Sequence, residues 1–333
     1  MGSKTVLITD YVWPSIDPEK EILSKYNVEL IIAPNSNEET LIEMAKDVDG
    51  ILTCFAKVTK KVVQAAKNCK VIGRYGVGVD NIDVVEATKQ GIIVTYVPDY
   101  CVEEVADHVI ALMLSWNRRI ILHNEDTKNN GWGTAGLNMR IMRLKGKKLG
   151  IVGFGRIGKS VAQKARAFGL DILAFDPNVD KNSMNNFDAT KVTLDKLLSE
   201  SHFISLHSPL IEKTSEMINY DQFNQMREDA FLINCARGGL INEDALYEAL
   251  ETNKIAGAGL DVLVDINPNL NHRLIQHSKT IITPHTAFFS QEAVLELEKR
   301  ASQYVGQVLI GEKPDNIINT EVLNNDLLRS KLN

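Results

Sequence analysis

Arg237 and His285 are the two residues whose chemistry is easiest to name. A guanidinium pairs in two-pronged fashion with a carboxylate and polarises a carbonyl beside it. An imidazole, with an unperturbed pKa of about 6.5, gives or takes a proton near neutral pH. Arg237 lies in Asn234-Cys235-Ala236-Arg237-Gly238-Gly239, and the paired glycines suggest a tight loop over a ligand. His285 lies in Pro284-His285-Thr286-Ala287. Two further segments share their setting, His207-Ser208-Pro209-Leu210 and Gly259-Leu260-Asp261-Val262. All four sit at the ends of strand-like apolar runs, where open α/β sheets bind ligands. The other histidines are less suggestive. His123, His202, His272 and His277 fall in no such segment, and His108 shares a helical face with Val105 and Leu112, which favours packing.

The group to be positioned beside them is announced by Gly153-Phe154-Gly155-Arg156-Ile157-Gly158. It follows the apolar run Leu149–Val152 and opens a helical pattern over Ile157–Phe168. A second apolar run, Asp171–Phe175, ends in Asp176 and Pro177. Strand, glycine turn, helix, strand and carboxylate are the parts of a dinucleotide site. The glycines let the backbone approach a pyrophosphate, and the helix N-terminus offers it free N–H groups. Asp176 accepts ribose hydroxyls and repels a 2′-phosphate, and no Arg follows in Asn178-Val179-Asp180. That favours NAD over NADP.

The glycine turn lies mid-chain, so a separate α/β unit is built before it. Val6–Thr9, Val28–Ile32, Gly50–Thr53, Val71–Gly73 and Ile92–Thr95 read as strands alternating with helical segments, which implies a parallel sheet. Cys101–Trp116 reads as a long helix, followed by an irregular stretch broken at Gly131-Trp132-Gly133. Phe203–Leu206, Ala230–Ile233, Gly257–Leu260 and Thr280–Thr283 supply further strands, and Gln291–Gly311 a final helix. The 333 residues suffice for two domains. With 37 basic and 43 acidic residues the net charge is −6, which argues against a broad nucleic-acid surface. No apolar stretch is long enough for a bilayer. Four scattered cysteines without a C-x-x-C pair read as reduced thiols in a cytoplasmic protein, and no cluster has metal-ligand spacing.

With Arg74-Tyr75-Gly76-Val77-Gly78-Val79-Asp80-Asn81-Ile82-Asp83 added, the chain resembles the D-isomer-specific 2-hydroxyacid dehydrogenases from about Val6 to Ile318. Five motifs occur in the family's order and spacing. Segments Pro98–His108 and Pro284–Ser290 resemble the branch that includes the C-terminal-binding proteins. The resemblance implies a Rossmann NAD-binding domain, residues 101–291, inserted into a flavodoxin-like substrate domain, residues 1–100 and 292–333. The cleft between them would hold the ligands. It implies an NAD-dependent enzyme that reduces a 2-oxo acid to the (R)-2-hydroxy acid. Arg237 would bind and polarise substrate, and His285 would serve as general acid and base. Gly153, Gly155, Arg156, Ile157, Gly158, Asp176, Pro177, His207, Pro209, Cys235, Ala236, Arg237, Asp261 and His285 would border the cofactor. Arg74, Val77, Gly78, Tyr100, Arg237 and Phe288 would border substrate, the backbone of Val77 and Gly78 holding its carboxylate. Tyr100, Phe288 and Phe55 would make the pocket apolar, suited to a bulky or aromatic acid.

One position departs from the family. A glutamate five residues after the aspartate matched by Asp261 normally supports the histidine. Here that position is Ile266, and Asp265 is the nearest carboxylate. Without a partner the His285 pKa would fall, weakening it as an acid. Three readings therefore stand: a reductase in which Asp265 substitutes, a protein that senses NAD(H) with weak or lost catalysis, and a dehydrogenase of a related acid such as a phosphonate. The long helix from Cys101 and the Trp116–Trp132 excursion match the family's dimer arm and imply a homodimer.

Overall fold

A computed structural model describes residues 3–133 and 141–332. The chain divides into two units. One comprises Met1–Tyr100 with Ser290–Asn333, and the other Cys101–Phe289.

The first unit is a five-stranded sheet, every neighbouring pair parallel. Its strands are β1 (Lys4–Ile8), β2 (Val28–Ile32), β3 (Gly50–Thr53), β4 (Val71–Arg74) and β5 (Ile93–Thr95), in spatial order β2-β1-β3-β4-β5. This is the flavodoxin-like order, whose direction of winding reverses between β1 and β3. The helices between strands are α1 (Asp17–Ser24), α2 (Glu38–Met44), α3 (Lys60–Ala65) and α4 (Val84–Lys89). Strands β3, β4 and β5 are buried along their whole length, as parallel strands covered on both faces must be. One face packs on α2 and α3 through Leu41, Val62, Val63 and Ile72. The other receives α12 (Gln291–Ile310), which starts at a Ser290 cap and also packs along α1. At the reversal point Asp10 turns its carboxylate onto the backbone N–H groups of Cys54, Phe55 and Ala56, at 2.9, 2.6 and 3.0 Å.

The second unit is a seven-stranded parallel sheet. Its strands are β6 (Lys148–Val152), β7 (Asp171–Phe175), β8 (Ala189–Lys191), β9 (Phe203–Leu206), β10 (Phe231–Asn234), β11 (Gly257–Leu260) and β12 (Thr280–Ile282), in order β12-β11-β10-β9-β6-β7-β8. The winding reverses between β6 and β9, the Rossmann arrangement. Helices α5 (Val102–Arg118) and α7 (Arg156–Arg166) cover one face with Leu112, Met113, Ile151 and Phe231. Trp116 of α5 stacks on Phe231 of β10, ring centroids 4.7 Å apart. The other face packs on α9 (Leu194–Glu200), α10 (Tyr220–Gln225) and α11 (Glu243–Glu251). Short α8 (Lys181–Asn185) leads into β8.

The excursion after Trp116, read as irregular, begins as α6 (Ile120–Asn130). Its apolar residues do not recur at helical spacing, so no core face announces it. None of its residues is buried. The helices between β7 and β11 were not apparent from periodicity either. They are one to three turns long, too short to repeat an apolar stripe.

Candidate active site

Register across the second sheet places the sequence candidates in one row. Phe175, Val152, Leu206, Asn234, Leu260 and Ile282 are paired strand to strand. The next residue on each strand is Asp176, Gly153, His207, Cys235, Asp261 and Thr283. The row crosses six strands, a span of about 24 Å at the usual 4.8 Å spacing. Thus Asp176 and the glycine turn lie toward one end, and the Arg237 and His285 loops toward the other.

The glycine turn fits a dinucleotide. Gly153 has φ +94°, and a Cβ there would strike the His207 backbone at 2.7 Å. A Cβ at Gly158 would strike Gly153 O at 2.3 Å, so only glycine lets α7 come this close. A Cβ at Gly155 would meet nothing within 4 Å, which leaves the N-terminus of α7 open. No side chain caps that end, so the first N–H groups at Arg156 and Ile157 would be available to an anion. Asp176 Oδ2 accepts the Phe154 N–H at 2.9 Å, which ties the acid to the turn. Exposed Pro177 and the Asn178 N–H bonded to Asp176 Oδ1 complete the corner. These residues would hold the pyrophosphate and ribose of an NAD molecule.

Toward the middle of the row, His207 pairs with Ser205 Oγ at 2.9 Å, and Pro209 is exposed two residues on. Burial lowers the His207 pKa to about 4, so the ring is neutral at pH 7. Cys235 is held protonated, its pKa pushed well up by burial and then by the Asp261 charge. It therefore borders the site as an apolar group, not a nucleophile.

The Arg237 loop is pinned from beneath. Fully buried Asn234 accepts the Ala236 N–H and donates to Arg237 O, at 3.0 and 2.8 Å. Arg237 Nη1 donates to Ala236 O at 2.8 Å. Gly238 is obligatory, because a Cβ would lie 2.1 Å from Leu263 C. The loop carrying the guanidinium is thus seated on the loop carrying Asp265 and Ile266.

The His285 loop is pinned by Asp261. The Asp261 carboxylate is buried and accepts Thr283 Oγ1 at 2.6 Å, Thr286 N at 2.9 Å and Ala287 N at 2.9 Å. Its backbone oxygen accepts the His285 N–H at 2.8 Å. His285 itself has φ +54°, a left-handed conformation costly for a non-glycine residue. A strained backbone persists where its surroundings hold it, and here they hold a histidine. Phe288 meets the His285 ring edge-on, centroids 6.1 Å apart.

One further residue joins this network, which the sequence assigned only to packing. His108 Nε2 lies 2.9 Å from Thr283 Oγ1 and 3.7 Å from Asp261 Oδ1. It is a partner of the Asp261 cluster as well as a packed side chain. Its place on a helical face signalled packing only, and nothing local points to Thr283, 175 residues away. Three other histidines make structural contacts: His277 with Glu251, His272 with Glu243, and His202 with the Lys148 N–H.

Asp265 is exposed, and its Oδ1 accepts the Asn267 N–H at 2.9 Å, a local turn. Ile266 is 58% exposed. Val264 N, in the same loop, donates to Glu243 Oε1.

In the first unit, Arg74 ends β4 and is buried, 8% exposed. Its Nε and Nη1 lack any acceptor. A buried guanidinium with unmet donors is costly, and an anion arriving there relieves it. Exposed Val77 and half-buried Gly78 follow in the loop, and Tyr100 is buried at the unit's end. Among the described residues, no group of three or more His, Cys, Asp or Glu could hold a metal ion, and no helix is long and apolar enough to cross a membrane.

A family model for the NAD binding domain of D-isomer specific 2-hydroxyacid dehydrogenases matches residues 110–287, more than half the chain. The chain belongs to the D-isomer specific 2-hydroxyacid dehydrogenases. The family is one of dehydrogenases with an NAD binding domain. A glyoxylate reductase of Korarchaeum cryptofilum is 37% identical over 87% of this chain and 88% of its own length. A D-3-phosphoglycerate dehydrogenase of Methanocaldococcus jannaschii is 37% identical over 94% of this chain, which spans 59% of that enzyme's length. Among solved structures, a D-lactate dehydrogenase of Aquifex aeolicus, complexed with NAD and lactic acid, superimposes with a TM-score of 0.87 at 28% identity, covering 94% of this chain and 98% of that one.

Proposed function

We propose that this dehydrogenase reduces a 2-oxo acid to the (R)-2-hydroxy acid, using NADH in preference to NADPH. The observation that carries the reading is the row of strand ends, with the glycine turn and Asp176 toward one side and the loops of Arg237 and His285 toward the other. Bound nicotinamide would supply the hydride. Arg237 binds the substrate carboxylate and polarises the carbonyl. His285 gives the proton to the carbonyl oxygen, in the geometry that Asp261 imposes. Within the first unit, the unmet donors of Arg74 beside the Val77 and Gly78 amides suit an anion such as a carboxylate. Phe288 beside His285 favours an apolar or aromatic substrate side chain over glyoxylate. Asp176 disfavours a 2′-phosphate. We place the protein in the reducing cytoplasm, where its four free cysteines persist as thiols. Exposed Ile120, Ile121 and Leu122 of α6 and Trp132, 95% exposed, suit a homodimer arm.

The test is NADH oxidation across a panel of 2-oxo acids at several pH values, wild type against His285→Ala. Loss of the proton donor lowers kcat by about 10²–10⁴-fold. Failure of every acid, or full activity in His285→Ala, overturns the reading. A second reading rests on Asp265, whose carboxylate is committed to a local turn, and on Ile266. In it the fold binds NAD(H) and its oligomeric state signals to a partner. Tight NADH binding without turnover, with an NADH-dependent change in mass by light scattering, would establish that reading instead.

A further inference from the structure

Two glutamates are buried in the first unit, outside the residues assigned to the cofactor or the reaction. Glu19 of α1 is fully buried and Glu298 of α12 is 5% exposed. Glu19 Oε1 accepts the Trp13 indole N–H at 3.0 Å and the Tyr75 hydroxyl at 3.2 Å. Trp13 and Tyr75 meet edge to face, centroids 4.8 Å apart. Glu19 Oε2 is buried and receives no N–H or hydroxyl donor. The Glu298 carboxyl lies within hydrogen-bonding reach of Glu19. Two carboxylates at that range cannot both be charged in an apolar interior, whereas one proton held between them satisfies both.

Tyr75 makes the pair matter. It stands between Arg74 and the Gly76–Gly78 turn, and is itself 1% exposed. We propose that Glu19 and Glu298 share a single proton, and that this pair, through the Tyr75 hydroxyl, positions the Arg74–Gly78 loop for its anion. Loss of the shared proton drives α1 and α12 apart at this point and releases Tyr75. The inference rests on the reading of that loop as a substrate-carboxylate site. The groups facing the pair are Trp13 ahead of α1, Tyr75 after β4, and Lys299 on α12, which favours the charged form of Glu298. Cys54 lies near Tyr75. Burial raises both carboxyls, and the Glu19 charge helps push Glu298 up to about 8.

The experiment compares wild type, Glu298→Gln and Tyr75→Phe from pH 5 to 9.5. Melting temperature, KM for the 2-oxo acid, kcat and NADH affinity are followed. A carboxyl raised in the folded state stabilises most at low pH. Its contribution falls between the ordinary glutamate range and about 8, then levels off. The wild-type melting temperature should follow that course, and Glu298→Gln, which mimics the protonated acid, should lose it. Wild-type KM should be flat to about pH 8 and then rise about tenfold per pH unit, with kcat and NADH affinity unmoved. Glu298→Gln should abolish that rise. Tyr75→Phe should keep the melting profile yet lose the KM rise, its KM being high throughout. An unchanged KM profile in Glu298→Gln, or an unchanged melting profile, overturns the proposal. So does a wild-type rise carried by kcat. If no 2-oxo acid is turned over, the substrate reading fails by itself, and the melting profiles alone uphold or refute the shared proton.

Discussion

Asp261→Asn isolates what holds His285 in place. The wild-type carboxylate takes three donors, Thr283 Oγ1 and Thr286 N on Oδ1 and Ala287 N on Oδ2. Asparagine keeps one oxygen. If that oxygen stays at the Oδ1 position, its NH₂ group faces the Ala287 N–H, donor against donor. The loss is one charge-assisted hydrogen bond, worth about 1.5–3 kcal/mol, plus about 1–3 kcal/mol for a buried unmet amide. A total of about 4 kcal/mol lowers the melting temperature of a unit this size by roughly 8–16 °C. The loop must also keep a histidine at φ +54°, against about 1–3 kcal/mol of backbone strain. If the loosening falls on the proton donor, kcat drops by about 10²-fold. Differential scanning calorimetry and single-turnover reduction at saturating NADH measure the two effects. Wild-type melting and wild-type single-turnover rates together would refute the idea that Asp261 holds the loop. A change in NADH affinity alone would show it to be a cofactor contact only.

Asp176→Ser removes the charge that opposes a 2′-phosphate, so the ratio of NADPH to NADH efficiency should rise at least tenfold; steady-state kinetics with both cofactors check it. His207, lowered from 6.5 to about 4 by burial, binds its proton more readily in the unfolded chain. Stability should fall as pH drops through that window, by roughly 3 kcal/mol in all, and His207→Gln should blunt the fall in urea titrations. Gly238→Ala places a methyl 2.1 Å from Leu263 C, so the Arg237 loop must shift, and kcat/KM should fall by about 10²-fold while NADH affinity changes little.

Much of the positioning was legible because parallel strands covered on both faces are written as short apolar runs. Glycine and polar residues succeed them where the chain turns. That is why the stretches ending at Val152, Ile233 and Leu260 could be read, and why Gly153, Arg237 and Asp261 stand out beyond them. The short helices between β7 and β11 complete too few turns to leave a period. The polar contacts that hold the site were hidden for another reason. His108 meets Thr283, and Glu19 meets Glu298, across long sequence separations, and a glutamate in a helix reads as a solvated face until the fold buries it. Ile266 could be seen as a missing carboxylate, but the turn that occupies Asp265 depends on the local path of its loop.

The Asp10 carboxylate bound to the amides of Cys54, Phe55 and Ala56 has a bearing on ligand stoichiometry. Both sheets of this chain are wound so that a reversal point opens at their carboxyl edge, and either could attract a phosphate. The first unit fills its own opening with an internal anion. An incoming phosphate would find those N–H groups taken and a negative charge in front of them. Among the described residues the opening over α7 carries no such internal plug, so of two similar sheets it is the one that would take a nucleotide.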